Sequence, residues 1–222
     1  MSYAAAIFDM DGTLLNTLDD LAASTNAALA AHGMPPRRTD EVRQFVGNGI
    51  ANLVRLAVPE GTDKATQDAV FDTFCAHYAE HSADHTAPYP GIMDLLDRLH
   101  EAGVRCAVVS NKGDFAVQDL VKLYFPGEFD FAVGERKGIR RKPAPDTVLA
   151  ALEALDVAPA DAVYVGDSEV DVATAEASGL DCIIVTWGFR DLDTLIAAGA
   201  EVIVDTCDEV LEQILAVRDT RG

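Results

Sequence analysis

The 222-residue chain carries 37 acidic against 17 basic residues, a formal net charge of −20. So acidic a surface repels nucleic acid and anionic membranes, which excludes both as expected partners, and any phosphorylated ligand would need a local cation. Hydrophobic residues make up 49% and charged ones 24%, the composition of a globular protein long enough for one core with a smaller insertion.

The first element is the apolar run Ala4 to Phe8, read as a strand that ends on two carboxylates, Asp9 and Asp11. Residues i and i+2 of an extended chain point to the same side, so both acids face one small volume and repel. A cation, or a proton held on one of them, must offset that repulsion. Taken alone the pair fits a solvated bend at Asp11-Gly12 equally well.

Roughly 90 residues separate this strand from the next, whereas a parallel crossover needs only a dozen or so. The interval reads helical in three stretches: LDDLAASTNAALAAHG, DEVRQFVGNGIANLVRLAV and DKATQDAVFDTFCAHYAEHSA. It predicts an inserted all-helical domain over residues 17–85, hinged near Asn16 and Pro88. The core is then 1–16 with 86–222.

From Tyr89 onward apolar runs alternate with helical patterns. VRCAVVS, FDFAV, AVYVGDS, CIIVTW and EVIVD read as short strands buried on both faces. Ile92, Leu95, Leu96 and Leu99 share a helical face, with Gly103 at the expected C-terminal cap. Val117, Leu120, Val121 and Tyr124 repeat it behind Asp114 as N-cap, and Pro145-Asp146 opens the helix of Val148, Leu149, Leu152 and Leu155. Strands alternating with helices predict an α/β fold, a doubly wound, Rossmann-like parallel sheet.

Ligands of such sheets bind beyond the carboxyl ends of the strands. The residues predicted there are Asp9 and Asp11, Ser110 and Asn111, Lys142, and Gly166, Asp167 and Ser168 with Asp171 four residues past Asp167. Each has an ordinary structural role open to it: a capping loop for Ser110 and Asn111, an N-cap for Asp167, a solvated lysine for Lys142. Four such sets at four strand ends argue for a shared site. Asp9, Asp167 and Asp171 offer hard oxygen ligands suited to Mg²⁺. With that cation Asp9 stays ionised and can attack phosphorus, while Asp11 serves as general acid and then base. Ser110, Asn111, Lys142 and the turn N–H groups of Gly12 and Thr13 would hold the phosphoryl oxygens.

The ordered series FDMDGTLLNT, VVSNK, RRKPAPD and VYVGDSEVD resembles the four motifs of haloacid dehalogenase-like hydrolases, over nearly the whole chain. The resemblance implies Asp9 as nucleophile, Asp11 as acid/base with its backbone carbonyl on Mg²⁺, Ser110 and Lys142 as phosphate ligands, and Asp167 as metal ligand. Asp171 matches the second acid of the fourth motif, as direct ligand or behind one. The helical insertion corresponds to the family's cap domain, and its FVGNGIANLVRLAV is similar to that of phosphoglycolate phosphatases. The implied activity is hydrolysis of a small phosphate monoester, foremost 2-phosphoglycolate, through an aspartyl-phosphate. Pyrophosphate and sugar phosphates, as phosphatase or mutase substrates, are the alternatives within the family. Gly47-Asn48-Gly49 is expected either to reach into the site, with Asn48 on the substrate, or to form a plain helix–helix turn. Arg43 and Arg55 would meet a substrate carboxylate or merely solvate their helices.

A dehalogenase has no need of Asp11, and a sugar-phosphate mutase usually carries a histidine that DGTLLNTLDDLAAS lacks. A phospho-aspartate signalling module would need no cap. The five histidines show no metal-ligand spacing. The four scattered cysteines, Cys75, Cys106, Cys182 and Cys207, form no CxxC pair and read as packing residues in a reducing compartment. No leader and no stretch of transmembrane length is recognised, so the expectation is a cytoplasmic enzyme, monomer or homodimer, whose partner is a small phosphorylated metabolite.

Overall fold

The computed structural model describes residues 2–217. The outermost ends of the expected core segments, residue 1 and residues 218–222, lie outside the described residues. Strand β1 (Ala5–Phe8) leads through the short β2 (Leu15–Asn16) into four helices: α1 (Leu18–Ala31), α2 (Thr39–Phe45), α3 (Ile50–Ala57) and α4 (Lys64–His81). The chain returns through β3 (Ala87–Pro88) and α5 (Ile92–Glu101) to β4 (Arg105–Gly113). It then alternates through α6 (Asp114–Tyr124), β5 (Phe131–Glu135), α7 (Asp146–Leu155), β6 (Ala162–Gly166) and α8 (Glu169–Ser178). The last elements are β7 (Asp181–Val185), α9 (Leu192–Ala197), β8 (Val202–Val204) and α10 (Cys207–Leu215).

Six of the strands form one parallel sheet in the order β5-β4-β1-β6-β7-β8, the expected doubly wound α/β architecture. Side chains alternate across a strand, and β1 shows it. Ala6 and Phe8 enter the cluster built with α5, α6 and α10, whereas Ala5 and Ile7 enter the one built with α7 and α8. Both faces are therefore covered, which is why these strands read as unbroken apolar runs. Because β1 is central, the chain winds from it to β4 on one side and later to β6 on the other. The crevice beyond its carboxyl end is the switch point where such sheets hold ligands.

Helices α1 to α4 bury their own cluster, including Leu21, Leu29, Val42, Leu53, Val54, Phe74 and Tyr78. One residue from the sheet region, Phe189, is buried in it too. Where the chain enters and leaves these helices, β2 pairs antiparallel with β3, Leu15 opposite Pro88 and Asn16 opposite Ala87. Among the described residues no helix is long and apolar enough to cross a membrane, and all four cysteines are free.

The glycines expected to turn the chain do divide one helical stretch, and two caps differ from the sequence expectation. The stretch DEVRQFVGNGIANLVRLAV breaks into α2 and α3 because Gly47 and Gly49 take φ of 118° and 79°, where L side chains are strained. Gly113, not Asp114, caps α6; the Asp114 carboxylate instead accepts the Gly134 N–H of β5 at 2.8 Å. Ser168, not Asp167, caps α8, which leaves Asp167 free of that structural duty.

Candidate active site

Asp9 follows β1 and is buried, with Met10 N–H donating to its Oδ1 at 2.7 Å and Lys142 Nζ at 2.9 Å from the same oxygen. Both contacts fall on Oδ1, which leaves Oδ2 without a hydrogen bond among the described residues, and Asp9 lines the pocket. Asp11 is held by Thr17 Oγ1 at 2.7 Å and by Lys112 Nζ at 2.9 Å. Ser110, Asn111 and Lys112 stand where β4 slips register against β5: Val109 pairs with Val133, yet Gly113 already pairs with Glu135. A bulge of this kind releases residues from the ladder and aims their side chains elsewhere, here into the crevice.

Lys142 is 2% exposed and donates to Asp9, to Asp171 Oδ1 at 2.8 Å and to the Tyr164 hydroxyl at 2.9 Å. Burial opposes its charge, but Asp171 and Asp9 hold it protonated. Asp171 is saturated. Its Oδ1 accepts Lys142 and Tyr164, and its Oδ2 accepts the N–H groups of Asp167 and Ser168 and the Ser168 hydroxyl. Despite full burial, those donors keep its pKa below the carboxylate norm.

Asp167 is the opposite case. Glycines on both sides make room for it: a Cβ at Gly12 or at Gly188 would collide with its carboxylate. Phe189 N–H donates to its Oδ2 at 2.6 Å. Burial, then the charges of Asp171 and Asp9, push its pKa well above the usual range. Asp9 is likewise raised to about 7, by burial first, with Lys142 working against it. One carboxylate oxygen from each of Asp9, Asp167 and Asp171 lies within 4.8 Å of the others. Three acids around a single ammonium leave negative charge unmet, and an all-oxygen donor set of this size fits a hard divalent cation.

The pocket over these groups is lined by Asp9, Asp11, Ser110, Asn111 and Asp167 from the sheet side. Its roof is apolar, from Leu21, Ile50 and Leu53, and includes Gly47 and Gly49. Asn111 Nδ2 ties floor to roof, donating to Gly47 O at 3.0 Å and to Lys142 O at 3.1 Å. Asn48 itself is not among the lining residues; its glycine neighbours are. The N–H groups of Gly12 and Thr13 are spent inside the turn, on Leu15 O and Met10 O, and neither residue lines the pocket. Arg43 pairs outward with Asp191 at 3.0 Å, and Arg55 lines a separate surface cleft with Lys64 and Arg141.

Several residues of the site have no role assigned by the sequence, although Lys112 and Tyr164 lie within VVSNK and VYVGDSEVD. Lys112 directly follows Ser110 and Asn111, and the bulge turns it inward with them. Tyr164 sits among the apolar residues of β6, where only its hydroxyl distinguishes it. Phe189 and Arg190 lie in the loop after β7. Phe189 plugs the helical cluster, while Arg190 donates to Arg43 O and Val46 O at the end of α2 and to Glu169. A GFR tripeptide after a strand gives no sign of that bridging.

The fold, the crevice and its acids define a family, and a haloacid dehalogenase-like hydrolase model matches residues 6–185. The chain belongs to the haloacid dehalogenase-like hydrolases. A phosphoglycolate phosphatase of Cereibacter sphaeroides is 37% identical over 83% of this chain and 85% of its own. A crystal structure from Lactobacillus delbrueckii subsp. bulgaricus, provisionally assigned as a phosphoglycolate phosphatase, superposes with a TM-score of 0.93 at 41% identity, covering 98% of this chain and all of that one. CbbY from Rhodobacter sphaeroides, solved in complex with phosphate, gives 0.72 at 28% identity over 94% and 96% of the two chains. Within the family, these relatives place the protein in the phosphoglycolate phosphatase-like subfamily.

Proposed function

We propose that the protein is a Mg²⁺-dependent phosphatase that hydrolyses a small phosphate monoester, 2-phosphoglycolate foremost, through a phosphoryl group carried on Asp9. The observation that carries this reading is Asp9 itself: it lines a roofed pocket with one oxygen anchored by Lys142 and the other without a hydrogen bond among the described residues, beside an under-neutralised pair of acids. Asp9 and Asp167 would hold the cation with the backbone carbonyl of Asp11, and Asp171 would stand behind them, since its oxygens already accept five hydrogen bonds. When bound, Mg²⁺ supplies positive charge that keeps Asp9 ionised and screens the phosphate.

Asp9 Oδ2 attacks phosphorus and the ester P–O bond breaks; the leaving oxygen takes a proton from Asp11. Water then attacks phosphorus and gives its proton to Asp11, the Asp9–phosphorus bond breaks, and inorganic phosphate leaves. Ser110, which lines the pocket, would hold a phosphoryl oxygen as charge moves. Lys142, its donors on Asp9, Asp171 and Tyr164, would act through the charge it places behind Asp9, and Asn111 would hold the roof through Gly47 O. Residues 17–85 act as a cap on the linkers near Asn16 and Pro88, excluding water and touching the rest of the substrate. The protein works as a cytoplasmic monomer or homodimer.

Release of phosphate from 2-phosphoglycolate and from a generic aryl phosphate, with Mg²⁺ and with chelator, tests the reading. Mg²⁺-dependent release from both is expected, and undiminished rates in metal-free buffer would overturn it.

A further inference from the structure

The core groups meet only phosphate and metal, so selectivity must come from whatever touches the leaving group. That group has a fixed neighbour in the proposed reaction. Asp11 gives its proton to the leaving oxygen, so the remainder of the substrate lies against Asp11. The structure puts an ammonium in the same place: Lys112 Nζ is 2.9 and 3.2 Å from the two Asp11 oxygens. Its side chain is 1% exposed, and its Nζ stands 4.7 Å from the centre of the Tyr78 ring, which α4 brings over from the helical domain.

Two cations line the pocket, Lys112 and Arg190. Arg190 spends four of its five N–H groups on Glu169, Arg43 O and Val46 O. Arg43 and Arg55, the cap arginines that the sequence offers for a carboxylate, are turned to Asp191 and to the outer cleft. An ammonium has three donors; Lys112 Nζ spends its short contacts on the single carboxylate of Asp11, and the Tyr78 hydroxyl is the other polar group beside it. Buried under an aromatic ring, a further anion beside it would be attracted far more strongly than at the surface.

We propose that Lys112 determines specificity, its ammonium binding a carboxylate that sits one carbon from the ester oxygen. This rests on the phosphatase reading and deepens it: the substrate class is the phosphorylated 2-hydroxy acids, of which 2-phosphoglycolate is the smallest. The leaving group bridges Asp11, through its ester oxygen, and Lys112, through its carboxylate. The side chains of Leu21, Ile50 and Leu53 in the roof offer no hydrogen bond to the hydroxyls of a sugar.

The test compares kcat/KM for 2-phosphoglycolate and for ethyl phosphate, equal in chain length but lacking the carboxylate, in the Mg²⁺-loaded enzyme. Lys112→Gln removes the charge yet can still donate to Asp11, and Lys112→Arg keeps the charge. Lys112→Gln should lose about 10- to 100-fold more on 2-phosphoglycolate than on ethyl phosphate, chiefly in KM. Lys112→Arg should retain most of the preference. In the wild type, with no variant needed, 3-phosphonopropionate, which keeps the spacing between phosphorus and carboxylate, should inhibit ethyl phosphate hydrolysis more tightly than propylphosphonate does. Equal losses on both substrates, or equal inhibition by both phosphonates, would overturn the assignment and leave Lys112 as a support for Asp11. Failure of the wild type to hydrolyse either ester would instead sink the phosphatase reading.

Discussion

The hinge and the floor of the pocket both bury aspartates, and they treat them in opposite ways. Asp20, on α1 beside the linkers, is 1% exposed. Its carboxylate accepts the N–H groups of His85 and Thr86, the Thr86 hydroxyl and the His85 ring at 2.8 to 3.0 Å. Burial pushes its pKa up, but those donors prevail and hold it below the usual carboxylate value. On the floor, Asp9 and Asp167 are also buried, with more protein packed around them, and there burial and mutual repulsion win and both are pushed upward. The hinge acid is neutralised by the protein that surrounds it. The floor acids are arranged so that the protein does not finish the task, which is how a cation site differs from a structural carboxylate.

The largest effect should come from Asp9→Asn. An amide cannot carry the phosphoryl group, so kcat should fall by at least about a thousandfold on every phosphate ester. The fold should stay intact, because a neutral side chain relieves repulsion on the floor. Near-normal turnover in this variant would place the nucleophile elsewhere.

Metal should separate the regions next. A ligand that binds only the folded state at 100 times its Kd stabilises by about 2.7 kcal/mol, a shift of several degrees in a chain of this size. Thermal melts with and without Mg²⁺ should show that shift in the wild type and in Asp20→Asn, but not in Asp167→Asn. Without metal, Asp167→Asn should melt no lower than the wild type, since it removes a repelling charge. A metal-free loss of stability in Asp167→Asn as large as that in Asp20→Asn would erase the distinction drawn between the two regions.

Asp20→Asn itself should cost about 2 to 3 kcal/mol, because an amide cannot accept four charge-assisted hydrogen bonds and brings a competing donor to His85 and Thr86. Denaturant titration at neutral pH measures it, and an unchanged midpoint would show that the clamp contributes nothing.

The floor was far more legible than the hinge. Asp9 and Asp11 are marked by alternation along a strand, and Asp167 by its place at the end of another, because strand ends at a switch point are where side chains are free to act. The sheet and its two faces follow from runs such as AVYVG, which only a doubly buried strand tolerates. The clamp on Asp20 was not readable, since it joins positions 65 and 66 residues apart with no periodicity between them. Lys112 was hidden for a different reason. Alternation does place it on the side of Ser110, two residues before, but cannot foresee that β4 slips register there and buries its ammonium against Asp11. The break between α2 and α3 was half visible: two glycines announced a turn, but not that the turn would line the pocket.

The smallest predicted effect belongs to His85 and sharpens the account of the hinge. Its ring lies 2.9 Å from Asp20, and that hydrogen bond, then the charge of Asp20, raise its pKa above the ordinary 6.5, with Asp19 and Asp84 adding to the pull. A group whose folded pKa is raised contributes stability that is fully present below its unfolded value and is lost as pH climbs through the folded one. The wild-type Tm should therefore decline slightly from pH 6.5 upward, across the interval set by the raised value. Asp20, with its lowered pKa, remains charged throughout that interval and contributes no slope; its own share disappears only in acid, as pH falls through its folded value. In His85→Ala the decline should become shallower, down to the share that Asp9 contributes through its own pKa of about 7. The acid loss should persist, because the backbone N–H groups of residues 85 and 86 still reach Asp20. Melts of both proteins between pH 5 and 8.5 decide the matter. A decline of equal slope in the variant would mean that the ring of His85 adds nothing to the clamp and that backbone and hydroxyl donors alone hold Asp20 in place.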